Sequence, residues 1–474
     1  MLSPSTAPHR TFRDPAGSVE LRPDGVVRRV RASHAEDVLR FLDQPIAAQL
    51  VQQGRLIATT VTPQQPGDAT DGAATKNTLV LEHPLISFIS YPWEWPPHLW
   101  LQAAELTLDL AADLLKHGWT IKDATPLNVL FEGVRPVFID LLSIEPLAPQ
   151  SPIWLAYGQF IRTFLLPMLA HAQLGWPLAA TLMRRDGYEP EEVYAALGWG
   201  ARLRQPALTA VTLPSLLAGK AAERNAGGSR PAPTQEPELA QHVLAKTFRN
   251  LRTQMRRTVP ARRASNWSHY ASTATHYHEG DHAAKRTFVG EVLSAGRPGR
   301  VLDVGCNTGV YSRIAAETGA SVISIDTDLE AVDRLAASLA KSELSILPLC
   351  VDLAHPTPAI GWENREQRSF LARCEGYFDL VMMLAVIHHL LVGSQIPLDR
   401  IAALCASITT RHLIVEWVPL ADPKFQQILR GRDAIYAHLT EDAFRSAFRV
   451  YFAVERECLL ENGRILFHYI RHPA

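Results

Sequence analysis

The chain has 474 residues, 47% of them hydrophobic, and its 47 Lys and Arg against 48 Asp and Glu leave a net charge of -1. That length exceeds one ordinary domain and the apolar fraction suffices for two cores. The balanced charge supplies no global field that would select nucleic acid or an acidic membrane surface as a partner. Five cysteines at irregular spacing, with no Cys-x-x-Cys pair, argue against a disulfide framework or a structural metal and for a reducing compartment. The opening MLSPSTAPHR lacks the apolar stretch of a signal peptide, so a cytoplasmic location is expected.

In chain order, the first strong pattern runs from an apolar strand through a Trp/Pro-rich turn (YPWEWPP) into an amphipathic helix ending at Leu115. Asp123, Asn128 and Asp140 follow. An Asp, an Asn five residues on and an Asp after the next short hairpin resemble the catalytic loop and metal-binding aspartate of protein-kinase-like folds. The resemblance implies that Asp123 accepts a substrate hydroxyl proton, that Asn128 and Asp140 hold magnesium, and that the ligand is ATP. The departures are plain: Ile121-Lys122-Asp123 stands for H-R-D, Asp140-Leu141-Leu142 for D-F-G, no lysine precedes Lys76, and no glycine-rich loop precedes it. Residues 1–225 are therefore read as a degenerate kinase-like α+β module, a scaffold or substrate-recruiting unit. The same Asp and Asn residues also suit local turn hydrogen bonds alone.

Residues 163–181 carry no formal charge and are long enough to reach across a bilayer, but Pro167, His171, Gln173 and Pro177 interrupt them, so a buried pair of helices is expected. Residues 226–264 are expected to be a linker, first rich in Pro and Gly, then basic. Residues 246–263 hold seven basic side chains and no acidic one, read either as a docking strip for anionic substrates or as the solvated face of a helix. An aromatic and His-rich lead-in from residue 266, with Tyr270, Tyr277 and Lys285 as candidates to cover a ligand, becomes an amphipathic helix.

The sharpest signal is VLDVGCNTG, residues 301–309, followed by a helical run and then by SVISIDTD, residues 321–328. The pattern is strand, glycine turn, helix, strand, with Asp326 placed 23 residues after Asp303. Glycines at such a turn adopt positive φ and allow close backbone approach. The spacing lacks G-x-G-x-x-G, which disfavours a pyrophosphate ligand. Asp303-Val-Gly-Cys-Asn-Thr-Gly309 resembles the first motif of class I S-adenosylmethionine-dependent methyltransferases. The later segments CVDLA, FDLVMMLAVIHHLL and HLIVEWVP extend the likeness over residues 265–474.

That family implies a doubly wound Rossmann-like α/β domain and S-adenosylmethionine as cofactor. It implies cofactor contacts from Asp303, Gly305, Cys306, Asn307, Gly309, Asp326, Thr327, Asp352, Leu353 and Leu384, with Asp326 on the ribose and Asp352 on the adenine amino group. Asp326 is also a plausible cap for the next helix, and Cys306 a small residue that merely fits its turn. His388 and His389 are the catalytic candidates: at a strand end adjacent side chains point to opposite sides, so at most one of them faces the substrate and serves as a general base; no third ligand stands near them at metal spacing. The arrangement as a whole resembles bacterial two-part methyltransferases, nodulation-related ones among them. The expected reaction moves a methyl group to an O or N nucleophile of a small-molecule or glycan acceptor. A bifunctional kinase-methyltransferase and a non-catalytic cofactor-binding protein stay open as alternatives, and no residue pattern fixes an oligomeric state.

Overall fold

The computed structural model describes residues 9–11, 13–62, 79–217, 236–260 and 279–473; Lys76, Tyr270 and Tyr277 lie outside them. The chain divides into two compact units, Met1–Ala261 and Arg262–Ala474.

In the first unit, strands β1 (His9–Arg10), β2 (Gly17–Leu21), β3 (Val26–Val30), β4 (Thr60–Thr62) and β5 (Leu79–His83) form an antiparallel sheet in the order β1-β2-β3-β5-β4. Helix α1 (Ala32–Leu42) buries Val38 and Phe41, and Phe41 meets the Trp119 ring edge-on at 5.2 Å. Helix α2 (Pro45–Gln52) begins on a proline, whose fixed φ and missing N–H suit a first helical position. Helix α3 (Pro97–Leu115) buries Leu99, Ala103, Leu106, Leu110 and Leu114, an alternation of threes and fours that lines one helical face. Beyond it, β6 (Trp119–Ile121) pairs with β9 (Ile144–Pro146), and β7 (Val129–Glu132) with β8 (Arg135–Phe138).

The uncharged run does fold as short helical pieces. Helix Leu166–Leu174 is stopped by Gly175 at φ 71°, and a 3-10 turn, Leu178–Met183, follows. Among the described residues no helix is long and apolar enough to cross a membrane. The basic segment departs from the expected linker. Residues Pro237–Thr258 form helix α4, which buries Ala240, Leu244, Phe248, Leu251 and Met255 and packs on α3. Phe248 meets Trp154 edge-on at 5.0 Å, and Arg252 and Arg256 pair with Asp109 and Glu105 of α3. The charge run hid an apolar stripe at spacings of four and three, and that stripe makes the helix part of a core.

The second unit, as described, begins with helix α5 (Glu279–Gly296). Its sheet contains β10 (Arg300–Val304), β11 (Ser321–Asp326), β12 (Ile346–Cys350), β13 (Phe378–Met383), β14 (Thr409–Trp417), β15 (Phe452–Leu459) and β16 (Ile465–Arg471), in the order β12-β11-β10-β13-β14-β16-β15. The first five strands are mutually parallel, and β16 runs antiparallel to both its neighbours. Val301, Leu302, Val322, Leu380, Val381, Leu413 and Val415 are wholly buried, as expected of parallel strands covered on both faces. Helices α6 (Val310–Glu317), α7 (Leu329–Leu339), α8 (Leu398–Ile408), α9 (Pro423–Leu429) and α10 (Glu441–Arg449) are its other longer helices. Strand order runs outward in opposite directions from β10 and β13. The crevice beyond the carboxyl ends of two such strands is where open α/β sheets take their ligands.

Candidate active site

The turn after β10 is drawn tight against β11. Gly305 N and Cys306 N both donate to Ile325 O, at 2.8 and 3.1 Å, and Gly309 N donates to Cys306 O at 2.8 Å. Gly305, Asn307 and Gly309 take positive φ of 72°, 50° and 81°. A Cβ on Gly305 would lie 2.5 Å from Val386 Cγ2, and one on Gly309 2.5 Å from Leu335 Cδ1. The immediate need for both glycines is thus backbone conformation and close packing of protein on protein.

Asp326 ends β11 at this turn. Its Oδ2 accepts from Asn307 N at 2.8 Å and its Oδ1 from Asp328 N at 2.9 Å. Burial is the largest influence on this carboxyl and raises its pKa against the opposing backbone donors. The cap of α7 falls to its neighbour instead: Asp328 Oδ1 accepts from Glu330 N and Ala331 N at 3.0 and 3.1 Å. Asp326 is therefore released from capping, and its carboxylate, although it accepts backbone donors, keeps capacity for a further hydroxyl. Thr327 beside it is exposed.

Asp303 is only 2% exposed and lies beneath the turn. Its Oδ2 accepts from Ser312 Oγ at 2.6 Å, and Ser312 in turn accepts from Ser324 Oγ at 2.8 Å. Burial pushes the Asp303 carboxyl up to about 6, against the Ser312 hydrogen bond, with the Asp326 charge adding to the rise. Cys306 is buried, and burial above all, then Asp303 and Asp326, raises its thiol well above the ordinary range. That suppresses the thiolate a nucleophile would need.

Asp352, after β12, is half-buried; its Oδ1 accepts from Ala354 N at 2.8 Å and its Oδ2 lies 3.0 Å from His355 Nδ1. Leu353 and Leu384, each 8% exposed, stand at the exits of β12 and β13 and offer apolar walls. An adenosyl cofactor has apolar and polar faces but no phosphate. An acid at a strand end, a glycine turn and two apolar exits fit it.

The histidine pair differs from expectation in its backbone. β13 ends at Met383, Ala385 turns the chain at φ 56°, and His388 and His389 lie in a helical turn rather than at a strand end. The two rings therefore do not point to opposite sides: their centroids are 4.3 Å apart, and His388 packs on Phe425 of α9 at 5.6 Å. His388 is 4% exposed and its Nδ1 has no hydrogen-bond partner among the described residues. Burial, then His389, Arg464 and Lys285, hold its pKa well below the ordinary value, and burial then Arg464 lower that of His389. Among the described residues no group of three or more His, Cys, Asp or Glu is gathered to hold a metal.

Behind His388 runs a buried chain of charges that sequence reading missed. Lys285 of α5 pairs with Glu416 of β14, Arg464 Nη1 lies 3.2 Å from Glu416 Oε1, and Arg464 Nε lies 2.8 Å from Asp422 Oδ2. All four residues are at most 6% exposed. Lys285, expected to cover the ligand, is committed to this network. The available signal was Glu416 itself, a carboxylate inside the apolar run HLIVEW, because a charge on a buried strand demands partners.

In the first unit Asp123, Asn128 and Asp140 do converge. Asn128 Nδ2 donates to Asp123 O at 3.0 Å and to Ser143 Oγ at 3.1 Å, and Ser143 Oγ donates to Asp140 Oδ2. Arg28 of β3 joins them through Asp140 Oδ1 at 2.7 Å, another residue not found from sequence.

Against known proteins, a family model described as a methyltransferase domain matches residues 275–446. The nodulation protein NoeA of Rhizobium meliloti (strain 1021) is 30% identical over 464 residues, 96% of this chain and 94% of that protein. Among solved structures, the N-methyltransferase NodS from Bradyrhizobium japonicum WM9 is 14% identical, covering 41% of this chain and 98% of its own at a TM-score of 0.30. The bifunctional kinase-methyltransferase WbdD is 19% identical, covering 41% of this chain and 40% of its own, also at 0.30. The relationship to NoeA spans both units and the methyltransferase match spans the glycine turn, Asp326 and the histidine pair: the chain belongs to the family of the nodulation protein NoeA, and its C-terminal unit is an S-adenosylmethionine-dependent methyltransferase.

Proposed function

We propose that the C-terminal unit methylates an oxygen or nitrogen nucleophile of a small-molecule or glycan acceptor in the crevice beyond β10, β11 and β13. The observation that carries this reading is the strand-order reversal at β10 and β13, which brings Asp326 and the Gly305–Gly309 turn to the same edge as the histidine pair. When bound, the cofactor would supply an electrophilic methyl group on a sulfonium, whose S–C bond breaks as the methyl moves and whose sulfur keeps the electron pair as a neutral thioether. Asp326 takes the ribose hydroxyls, Asp352 faces the adenine side with Leu353 and Leu384 as walls, and Gly305, Cys306, Asn307 and Gly309 shape the turn, with Thr327 at its margin. Asp303 serves from below by holding Ser312. His388, kept neutral, accepts the proton that leaves the acceptor as its lone pair takes the methyl; His389 packs beside it. Holding the nucleophile in line with the methyl supplies much of the rate.

The first unit is read as a kinase-like module that recruits or positions the acceptor and transfers no phosphate itself.

Asp326→Ala is expected to weaken S-adenosylmethionine binding by about 1–3 kcal/mol, the cost of losing a charged, partly buried hydrogen-bonding group. Calorimetric titration of wild type and variant measures this, and equal affinity removes Asp326 from the cofactor. Label transfer from methyl-labelled cofactor into separated small-molecule, lipid-glycan, RNA and protein pools then names the acceptor class. Label confined to RNA or protein would overturn the acceptor proposed here.

A further inference from the structure

The kinase-like resemblance implies a divalent cation at Asn128 and Asp140, and the residues present do not fit one. Arg28 and Asp140 stand 112 positions apart in the sequence, yet Arg28 Nη1 lies 2.7 Å from Asp140 Oδ1 and Nη2 lies 2.9 Å from Ile139 O. The other carboxylate oxygen, Oδ2, accepts the Ser143 hydroxyl, so both oxygens of Asp140 are engaged. Asn128 turns its amide nitrogen inward to Asp123 O and Ser143 Oγ. The Arg28 side chain is 7% exposed and that of Asp140 22%. A divalent ion approaching Asp140 would meet the guanidinium's positive charge at the same carboxylate, and displacing it would leave a buried guanidinium without its counter-charge, a costly outcome for a buried ion.

We propose that Arg28 is the resident cation of this cluster: covalently part of the chain, it fills the position a divalent ion would take, and the first unit works without metal. Arginine suits the task because its fork serves a carboxylate and a carbonyl at once and it stays charged at every physiological pH. The neighbouring carboxyl of Asp123 lies within reach of the Asp140 charge. With the guanidinium gone, two carboxylates and the oxygens of Ser143 and Asn128 would form the hard, oxygen-rich setting that divalent ions prefer. Arg28 thus decides between a metal-free and a metal-taking site.

The test is Mn2+ titration of the full-length protein, followed by the loss of the free-ion paramagnetic resonance signal, with Asp140→Asn as the reference in each background. Wild type is expected to take no Mn2+ that Asp140→Asn abolishes. Arg28→Gln, which retains an amide to hydrogen-bond Ile139 O, is expected to gain one saturable equivalent, lost again in Arg28→Gln/Asp140→Asn. Arg28→Lys keeps a cation in place and is expected to refuse Mn2+ as wild type does. An Asp140-dependent Mn2+ site in wild type or in Arg28→Lys overturns the proposal, whether or not Arg28→Gln folds. So does a folded Arg28→Gln that takes no ion.

Discussion

Asp303 ties the glycine turn to solution pH. Its carboxyl titrates at about 6 in the folded unit against 3.8 when unperturbed, so between those values the folded state holds a proton the unfolded chain has lost. A raised acid pKa means stability that is complete at low pH and declines as pH rises through that window, by ~3 kcal/mol in all. Asp303→Asn keeps an oxygen for Ser312 and carries no charge. Its stability relative to wild type is expected to improve by ~3 kcal/mol between about pH 4 and about pH 7. Urea unfolding at a series of pH values measures this, and a difference that stays flat contradicts the buried, titrating acid. His388 makes a second prediction at this scale. Held neutral well below the ordinary 6.5, it is unprotonated across the physiological range though a weaker base than a free imidazole, so methyl transfer should be flat in pH there. His388→Ala should lower kcat about 100- to 10,000-fold with cofactor affinity unchanged. A loss under about tenfold would leave His388 as a wall of the crevice and positioning as the source of the rate.

Helix α9 shows how an element is held where the chemistry needs it. Asp422 caps it, accepting from Lys424 N at 2.8 Å and Phe425 N at 3.3 Å, while its other oxygen takes Arg464 Nε at 2.8 Å. Phe425 then packs on His388. Asp422→Ala removes a cap worth ~1 kcal/mol and one of the two carboxylates paired with the buried Arg464 guanidinium, Glu416 remaining, so a loss of about 2–4 kcal/mol is expected. Asp422→Asn, which can still cap, should lose less. Denaturant unfolding of the two variants checks the order, and equal losses would mean that the ion pair, not the cap, dominates. The elements that carry the site were legible beforehand for a physical reason: strands β10, β11, β13 and β14 each carry an apolar core, and the turns after β10 and β11 carry glycine or acid within a few residues. What escaped notice depends on distance along the chain. The Arg28–Asp140 and Lys285–Glu416 pairs join residues 112 and 131 positions apart, and no local pattern encodes such a meeting. The basic helix α4 misled because its charges outnumber the apolar residues that fix its place. The histidine pair misled because the positive φ at Ala385 ends the strand earlier than its apolar run does.

At the scale of the molecule, two units with separate cores should respond to ligands separately. Saturation with S-adenosylmethionine at about a hundredfold over Kd should stabilise the second unit by ~2.7 kcal/mol and leave the first unmoved. Calorimetry should show two transitions, only one of them shifted by cofactor; a single transition moving as a whole would show one cooperative body. The buried charges of the second unit have a consequence on a longer timescale. Lys285, Glu416, Arg464 and Asp422 satisfy one another out of reach of solvent, so replacing an inner member, Glu416 or Arg464, takes the opposite charge from an end of the chain, while replacing all four with apolar residues need not. Drift by single substitutions is therefore resisted most at the two inner positions. Relatives should keep the quartet whole or lack it whole, and an aligned set in which single members vary freely would show that the four are not bound together.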